Sequence, residues 1–303
     1  MGSAADEIKE VVILGRKLRW TEEGIEYEGD PKHRNEMLKD IGLENNSKAA
    51  VGPAVAKEKQ EDEDADEVKL EDAEEKRRFR GGAARLNFMG LDRPDIQFAA
   101  KGVAQRMAVP SMGGLVKIKR ACRYLVGAEK LVWKMGELYD EKVDKTMIDV
   151  WVDSDWAGGK DRKSTSGGMI VVGGVALKTW SRTQKTIALS SGEAEFYGMV
   201  SGAAEGLGFQ SLAADLGWKM AMRLKTDSAA GKGMTGRRGV GKVRHLEIRL
   251  LWIQEAVRSG RFAVQKVAGL CNVADILTKA KSGKEMKEVL EKVGGHIKFL
   301  DKT

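Results

Sequence analysis

Four carboxylates stand at the ends of expected elements in the second half of this 303-residue chain: Asp153 in VWVDSDWAGG, Glu195 in LSSGEAEFYG, Asp227 in LKTDSAAG and Asp275 in CNVADILTK. Four acids converging on one sheet edge can hold two Mg²⁺ ions, with Mn²⁺ able to substitute. Paired divalent cations are a standard device for in-line phosphodiester cleavage. Each acid taken alone is ordinary. Asp227 could open a turn, and Asp275 could be a favourable charge at a helix start. Asp153 and Asp155 share one strand face, so alternation does not choose between them. Glu193 and Glu195 can be separated. Residues two apart on a helix point about 200° away from each other, so only one faces the sheet. Ser190 followed by Glu193 reads as a capping box, which gives Glu193 a structural task. Glu195 then falls on the apolar stripe continued by Met199, Gly202 and Ala203, where a buried carboxylate needs a partner.

The elements that must position these acids begin near Met147. MIDVWVD alternates, with Ile148, Val150 and Val152 on one face and Asp149, Trp151 and Asp153 on the other. GGMIVVGGVALKTWS reads as two strands around a Gly-Gly turn. The pattern then predicts a long helix from Glu193 to about Leu216, a strand in AMRLKT and a helix from Val243 to Val257. A strand in RFAVQKV and a last helix after Asn272 complete it. The succession is βββαβαβα, an α/β mixed sheet with helices against it. Upstream, EVVILGRKLRW and GIEYEGD predict two strands, and Asp30-Pro31 opens a helix. Residues 44–78 read as an acidic, disordered linker. Leu86 to Met107 and Leu115 to Val126 read as two further helices.

Charge is unevenly spread. The formal net charge is +7, but Glu58–Glu75 holds eleven acidic and two basic residues, so the remainder carries +16. A basic body with an acidic tether suits an anionic partner, nucleic acid being the commonest. Arg162, Lys163, Ser164, Arg182, Lys185, Ser190, Arg244 and His245 are candidates for backbone contacts that position a duplex without reading its sequence. His245 alone reads as structural or phosphate-facing. GRRGVGKV approaches a phosphate-binding loop, but Val243 stands where a Ser or Thr is required. Cys122 and Cys271 match no metal-ligand spacing, and free thiols fit a reducing compartment. The apolar runs fall short of the ~20 residues of a membrane span, and the polar start lacks the pattern of a signal peptide. An intracellular location, cytoplasmic or nuclear, is expected.

DSDWAGGKDRKSTSGG, TWSRTQKTIALSSGEAEFYG, RHLEIRLLWIQEAVRSGR and NVADILTKA together resemble the ribonuclease H domain of copia-type retrotransposon polyproteins, over about residues 147–281. GLDRPDIQFAAKGVAQRMAVPSMGGLVKIKRACRYLVG and ILGRKLRWTEEGIEYEGDPKHRNEMLKDIGL resemble the end of the reverse transcriptase of the same polyproteins. The resemblance implies a ribonuclease H-like domain at 147–281, preceded by a small α+β remnant at 8–43, the linker, and a helical thumb or connection remnant at 79–146. A C-terminal helix or tail would occupy 282–303. It implies cleavage of the RNA strand of RNA–DNA hybrids, with Asp153, Glu195, Asp227 and Asp275 as metal ligands, and the rest of a Pol polyprotein as a partner. No Tyr-x-Asp-Asp polymerase motif occurs, and AGLCNVAD lacks the His many ribonucleases H carry before the last Asp. The expected chain is therefore a fragment without its polymerase. The rival reading is an inactive remnant that binds nucleic acid or a protein partner.

Overall fold

A computed structural model describes residues 2, 4, 6–44, 46–55, 68–136, 144–159, 161–241, 243 and 245–300. The chain forms two compact units, Met1–Tyr139 with Lys279–Thr303, and Asp140–Thr278.

In the first unit, β1 (Glu10–Ile13), β2 (Arg16–Thr21), β3 (Gly24–Glu28), β4 (Ala128–Lys134) and β10 (Gly295–Phe299) form one antiparallel sheet in that order. Residues expected as separate remnants on either side of a linker thus share one sheet, which the C-terminal strand completes. Among the described residues its helices are α1 (Lys32–Ile41), α2 (Ala73–Met89), α3 (Pro94–Ala104), α4 (Met112–Gly127) and α8 (Gly283–Glu291). The linker expectation fails at its end. Leu70 is buried, Lys69 bridges to Ser111, and the Asp72 carboxylate accepts the Glu75 N–H at 2.8 Å to start α2 inside the acidic run. Residues 56–67, most of that run, lie outside the described residues. The single helix expected over Leu86–Met107 is broken at Pro94, which has no N–H to give and opens α3 instead.

The second unit is a five-stranded mixed sheet in the order β7-β6-β5-β8-β9. Here β5 (Met147–Asp155), β6 (Thr165–Val172) and β7 (Val175–Thr183) are antiparallel, and β8 (Ala221–Thr226) and β9 (Ala263–Lys266) add in parallel. A 25-residue helix, α5 (Ser191–Asp215), connects the meander to β8. This is the ribonuclease H-like arrangement that the resemblance implied. Gly198, Gly202 and Gly206 recur every four residues on one face of α5, and a Cβ on any of them would collide with Ser154, Val152 or Val150 of β5. The glycine row lets the helix lie closer to the central strand than any side chain would allow. Val150, Val152, Met199 and Ala203 are fully buried in this seam, each valine there worth about 1.5–3 kcal/mol of apolar burial.

The remaining helices depart from expectation. Between β8 and β9 the chain forms α6 (Ala229–Gly236), a helix not anticipated from the sequence. The Ser228 hydroxyl starts it by accepting the Gly231 N–H at 2.9 Å. The helix expected from Val243 is a 3₁₀ turn at Ile248–Leu251 followed by α7 (Trp252–Arg258). Glu247 is extended and His245 is engaged elsewhere, so the preceding residues do not enter the helix. The helix expected after Asn272 is a single 3₁₀ turn, Val273–Leu277, started by the Asn272 side chain, which accepts the Ala274 N–H at 3.2 Å. Asp275, expected to be the fourth acid of the site, is carried on that turn.

Candidate active site

Asp153 is the seventh residue of β5, buried, and paired in register with Gly167 of β6. The Thr278 hydroxyl donates to its Oδ2. Glu195 stands in the second turn of α5, whose start is fixed by three side chains. Ser190 caps it, accepting the Glu193 N–H at 3.2 Å. The Ser154 hydroxyl and the Gln184 amide both donate to the Ala194 carbonyl, at 3.0 and 2.8 Å. Gln184 also donates to Ser166 at 2.8 Å, so β5, β6 and the helix start are joined by one buried network. Asp227 leaves β8 directly. The buried Thr226 before it accepts the Ser228 N–H at 3.1 Å and turns the chain into α6.

Asp153, Glu195 and Asp227 each bring a carboxylate oxygen to within 4.8 Å of the others. The first is buried and the other two are half-buried. Three carboxylates this close repel one another, and a hard divalent cation is the partner whose ligand preference matches three anionic oxygens. The donor set fits such a cation. Asp275 is half-buried on the adjacent 3₁₀ turn and lies outside this group of three. That turn is nevertheless tied to the site: Asn272 donates to the Val152 carbonyl at 3.0 Å, and Thr278 reaches both Asp153 and, at 3.2 Å, the Asp275 carbonyl. Asp155, the other strand-face acid, is the last residue of β5 and is also outside the three.

Glu193 points elsewhere. Its carboxylate is 1 % exposed and accepts from the Leu189 N–H at 2.9 Å, the Tyr197 hydroxyl at 2.5 Å and His245 Nε2 at 2.9 Å. The helix-start task expected for it is met with a shift, since its side chain reaches the backbone one residue before the cap. Burial pushes the Glu193 carboxyl up, but the bonds from His245, Tyr197 and Leu189 outweigh this and hold it below its ordinary value. The Tyr197 hydroxyl is raised strongly, by burial first and then by the Glu193 charge it binds.

The expected basic contacts separate into groups. Arg162 and Lys185 are exposed, and Lys163 sits 3.6 Å from Asp161 on the same turn. Arg182 is half exposed and shares Glu205 of α5 with Lys178. Ser164 is corrected: it is fully buried, and its hydroxyl accepts the Ala157 N–H at 3.1 Å, so it shapes the turn rather than facing a ligand. Ser190 is the helix cap described above. His245, read as structural or phosphate-facing, takes the structural place and binds Glu193. Arg244 lies outside the described residues. Thr278, Asn272, Gln184 and Tyr197 were not anticipated. The four-residue glycine spacing of α5 was a readable signal of its close packing on β5, but not of these four side chains.

No protein-family model matches the chain. It is 28% identical over 220 residues to a retrovirus-related Pol polyprotein from transposon RE1 of Arabidopsis thaliana, covering 71% of this chain and 15% of that protein. It is 27% identical over 211 residues to the corresponding polyprotein from transposon TNT 1-94 of Nicotiana tabacum, covering 69% and 15%. The homologues are copia-type Pol polyproteins of plant transposons. An uncharacterized mitochondrial protein of Arabidopsis thaliana is also similar, at 32% identity over 152 residues, or 50% of this chain and 57% of that one. The chain therefore spans about 15% of the length of the Pol polyproteins it matches. Among solved structures, an RNase H1 from Halobacterium salinarum is 18% identical over 43% of this chain and 93% of its own, with a TM-score of 0.31. A foamy viral protease–reverse transcriptase in complex with an RNA/DNA hybrid is 9% identical over 86% of this chain and 29% of its own, with a TM-score of 0.46.

Proposed function

We propose that the Asp140–Thr278 unit is a retrotransposon-derived ribonuclease H that hydrolyses the RNA strand of RNA–DNA hybrids. The observation that carries this reading is the convergence of Asp153, Glu195 and Asp227, from a strand, a helix and a strand end far apart in sequence, within 4.8 Å. These three, with Asp275 on the neighbouring turn as the fourth acid, would hold two Mg²⁺ ions. Bound there, such cations supply a water of lowered pKa and positive charge for the departing oxygen.

The chain's own residues set the place and the orientation. The Ser154–Gln184–Ala194 network fixes the start of α5, so Glu195 faces β5 while Glu193 is held away by three donors. Arg162 and Lys185, exposed in the unit that carries the acids, and the half-buried Lys163 suit contacts to the sugar-phosphate backbone, and 2′-hydroxyls would distinguish the RNA strand. In this reading Met1–Tyr139 with Lys279–Thr303 derives from the end of a reverse transcriptase. DNA synthesis is assigned to none of these residues, since no Tyr-x-Asp-Asp motif is among them. No helix of the described residues is long and apolar enough to cross a membrane.

The test is a cleavage assay on a labelled hybrid in Mg²⁺ or Mn²⁺, comparing the native chain with Asp153→Asn. Cleavage by the native chain and its loss in the variant support the reading. A folded native chain that leaves the RNA intact removes it.

A further inference from the structure

The turn after Asn272 does more than carry Asp275. Gly167 is the register partner of Asp153 across β5 and β6. A Cβ on Gly167 would lie 2.7 Å from Thr278 Cγ2, 2.8 Å from Leu277 Cβ and 3.1 Å from the Leu277 carbonyl carbon. The missing side chain therefore makes the hollow into which Leu277 and Thr278 settle, beside the acid they neighbour. Asn272 secures the other end of the turn by donating to the Val152 carbonyl at 3.0 Å. Thr278 is fully buried, and its hydroxyl meets Asp153 Oδ2 and the Asp275 carbonyl.

We infer that Thr278 is a positioning residue: its hydroxyl, seated over Gly167, holds the Asp153 carboxylate in the rotamer that joins Glu195 and Asp227. The inference rests on the metal-site reading above. A hydrogen bond to a ligating carboxylate fixes its direction, and partners of this kind typically matter for metal affinity as much as for the fold. Asp153 sits on a strand, where two χ1 rotamers are accessible, so a fixed partner has something to select. Because Thr278 also touches the Asp275 backbone, the strand acid and the turn acid are set by one side chain.

Three variants of the full chain test this. Thr278→Val keeps the shape and removes the hydroxyl. It should weaken Mn²⁺ binding by about 10–100-fold and lower kcat by a similar factor while leaving KM for the hybrid unchanged. Thr278→Ser restores the hydroxyl and should return both to within about threefold of native. Gly167→Ala keeps the hydroxyl but pushes the turn away, and should lose Mn²⁺ affinity as Thr278→Val does. A urea-unfolding cycle between Thr278→Val and Asp153→Ala checks the contact without metal. Coupling on the order of tenfold or more in the unfolding constant is expected. Native-like Mn²⁺ affinity and kcat in Thr278→Val, or failure of Thr278→Ser to rescue, overturns the positioning role and leaves the ribonuclease reading standing. A native chain that binds no Mn²⁺ removes the metal site itself, and this role with it.

Discussion

The two units treat buried acids in opposite ways. In the first, Asp95 is almost fully buried, and the Arg93 guanidinium meets it through two bonds, at 2.9 and 2.7 Å, with the Tyr124 hydroxyl at 3.0 Å. In the second, Asp153 is equally buried but has two further carboxylates within 4.8 Å and a hydroxyl at its side. The first arrangement completes a charge pair inside the fold. The second concentrates like charge, which costs stability and makes sense where a cation arrives from outside. The first is a structural joint, and the second is an arrangement compatible with a divalent cation.

The contrast can be broken most strongly through stability. Asp95→Asn leaves the Arg93 charge buried without its counter-ion and should destabilise the chain by about 3–5 kcal/mol in urea unfolding. Asp153→Asn relieves repulsion and should leave stability unchanged or slightly higher in the absence of metal. If both variants lose stability alike, the two acids do the same job and the contrast fails. A smaller effect concerns the cation itself. Mg²⁺ at about 100 times its dissociation constant should stabilise the native chain by roughly 2.7 kcal/mol, and Asp153→Asn should show no such gain in a melting scan.

Glu193 sharpens the comparison within the second unit, because it is a buried acid of the first kind lying two residues from one of the second. Its carboxyl is held below the ordinary value of 4.5. Its contribution is therefore complete above about pH 4.5 and is lost as pH falls through the lower folded value. The stability difference between native and Glu193→Gln should shrink steadily below pH 4.5. A difference that grows on acidification would reverse the sign of this account. The smallest effect expected is at the surface. Lys185→Ala should reduce the salt dependence of hybrid binding by about one phosphate's worth, without changing stability by more than about 0.5 kcal/mol.

Much of the second unit could be read from residue types alone. Alternation in MIDVWVD put Val150 and Val152 on one strand face, the face that α5 covers, and a separation of about 200° distinguished Glu195 from Glu193. Both depend on local periodicity, which a sequence displays directly. The short segments between β8 and β9 were missed or misread for the converse reason. Ala229–Gly236 is helical although its glycines disfavour it, and Leu246 and Glu247 are not helical although their composition permits it. In each case a cap or a distant side chain decides, Ser228 in the first and Glu193 holding His245 in the second. Thr278 was invisible because its role depends on Gly167, 111 positions away, having no side chain. In the first unit, β4 and β10 were missed because a strand that completes a sheet from the far end of the chain carries no neighbouring turn signal.

The most direct test of the central claim uses one hybrid with separately labelled RNA and DNA strands, incubated with the native chain in Mg²⁺ and in EDTA. The account predicts cleavage of the RNA strand alone, in Mg²⁺ alone. An intact RNA strand with folded protein in Mg²⁺, or cutting that persists in EDTA, would contradict it.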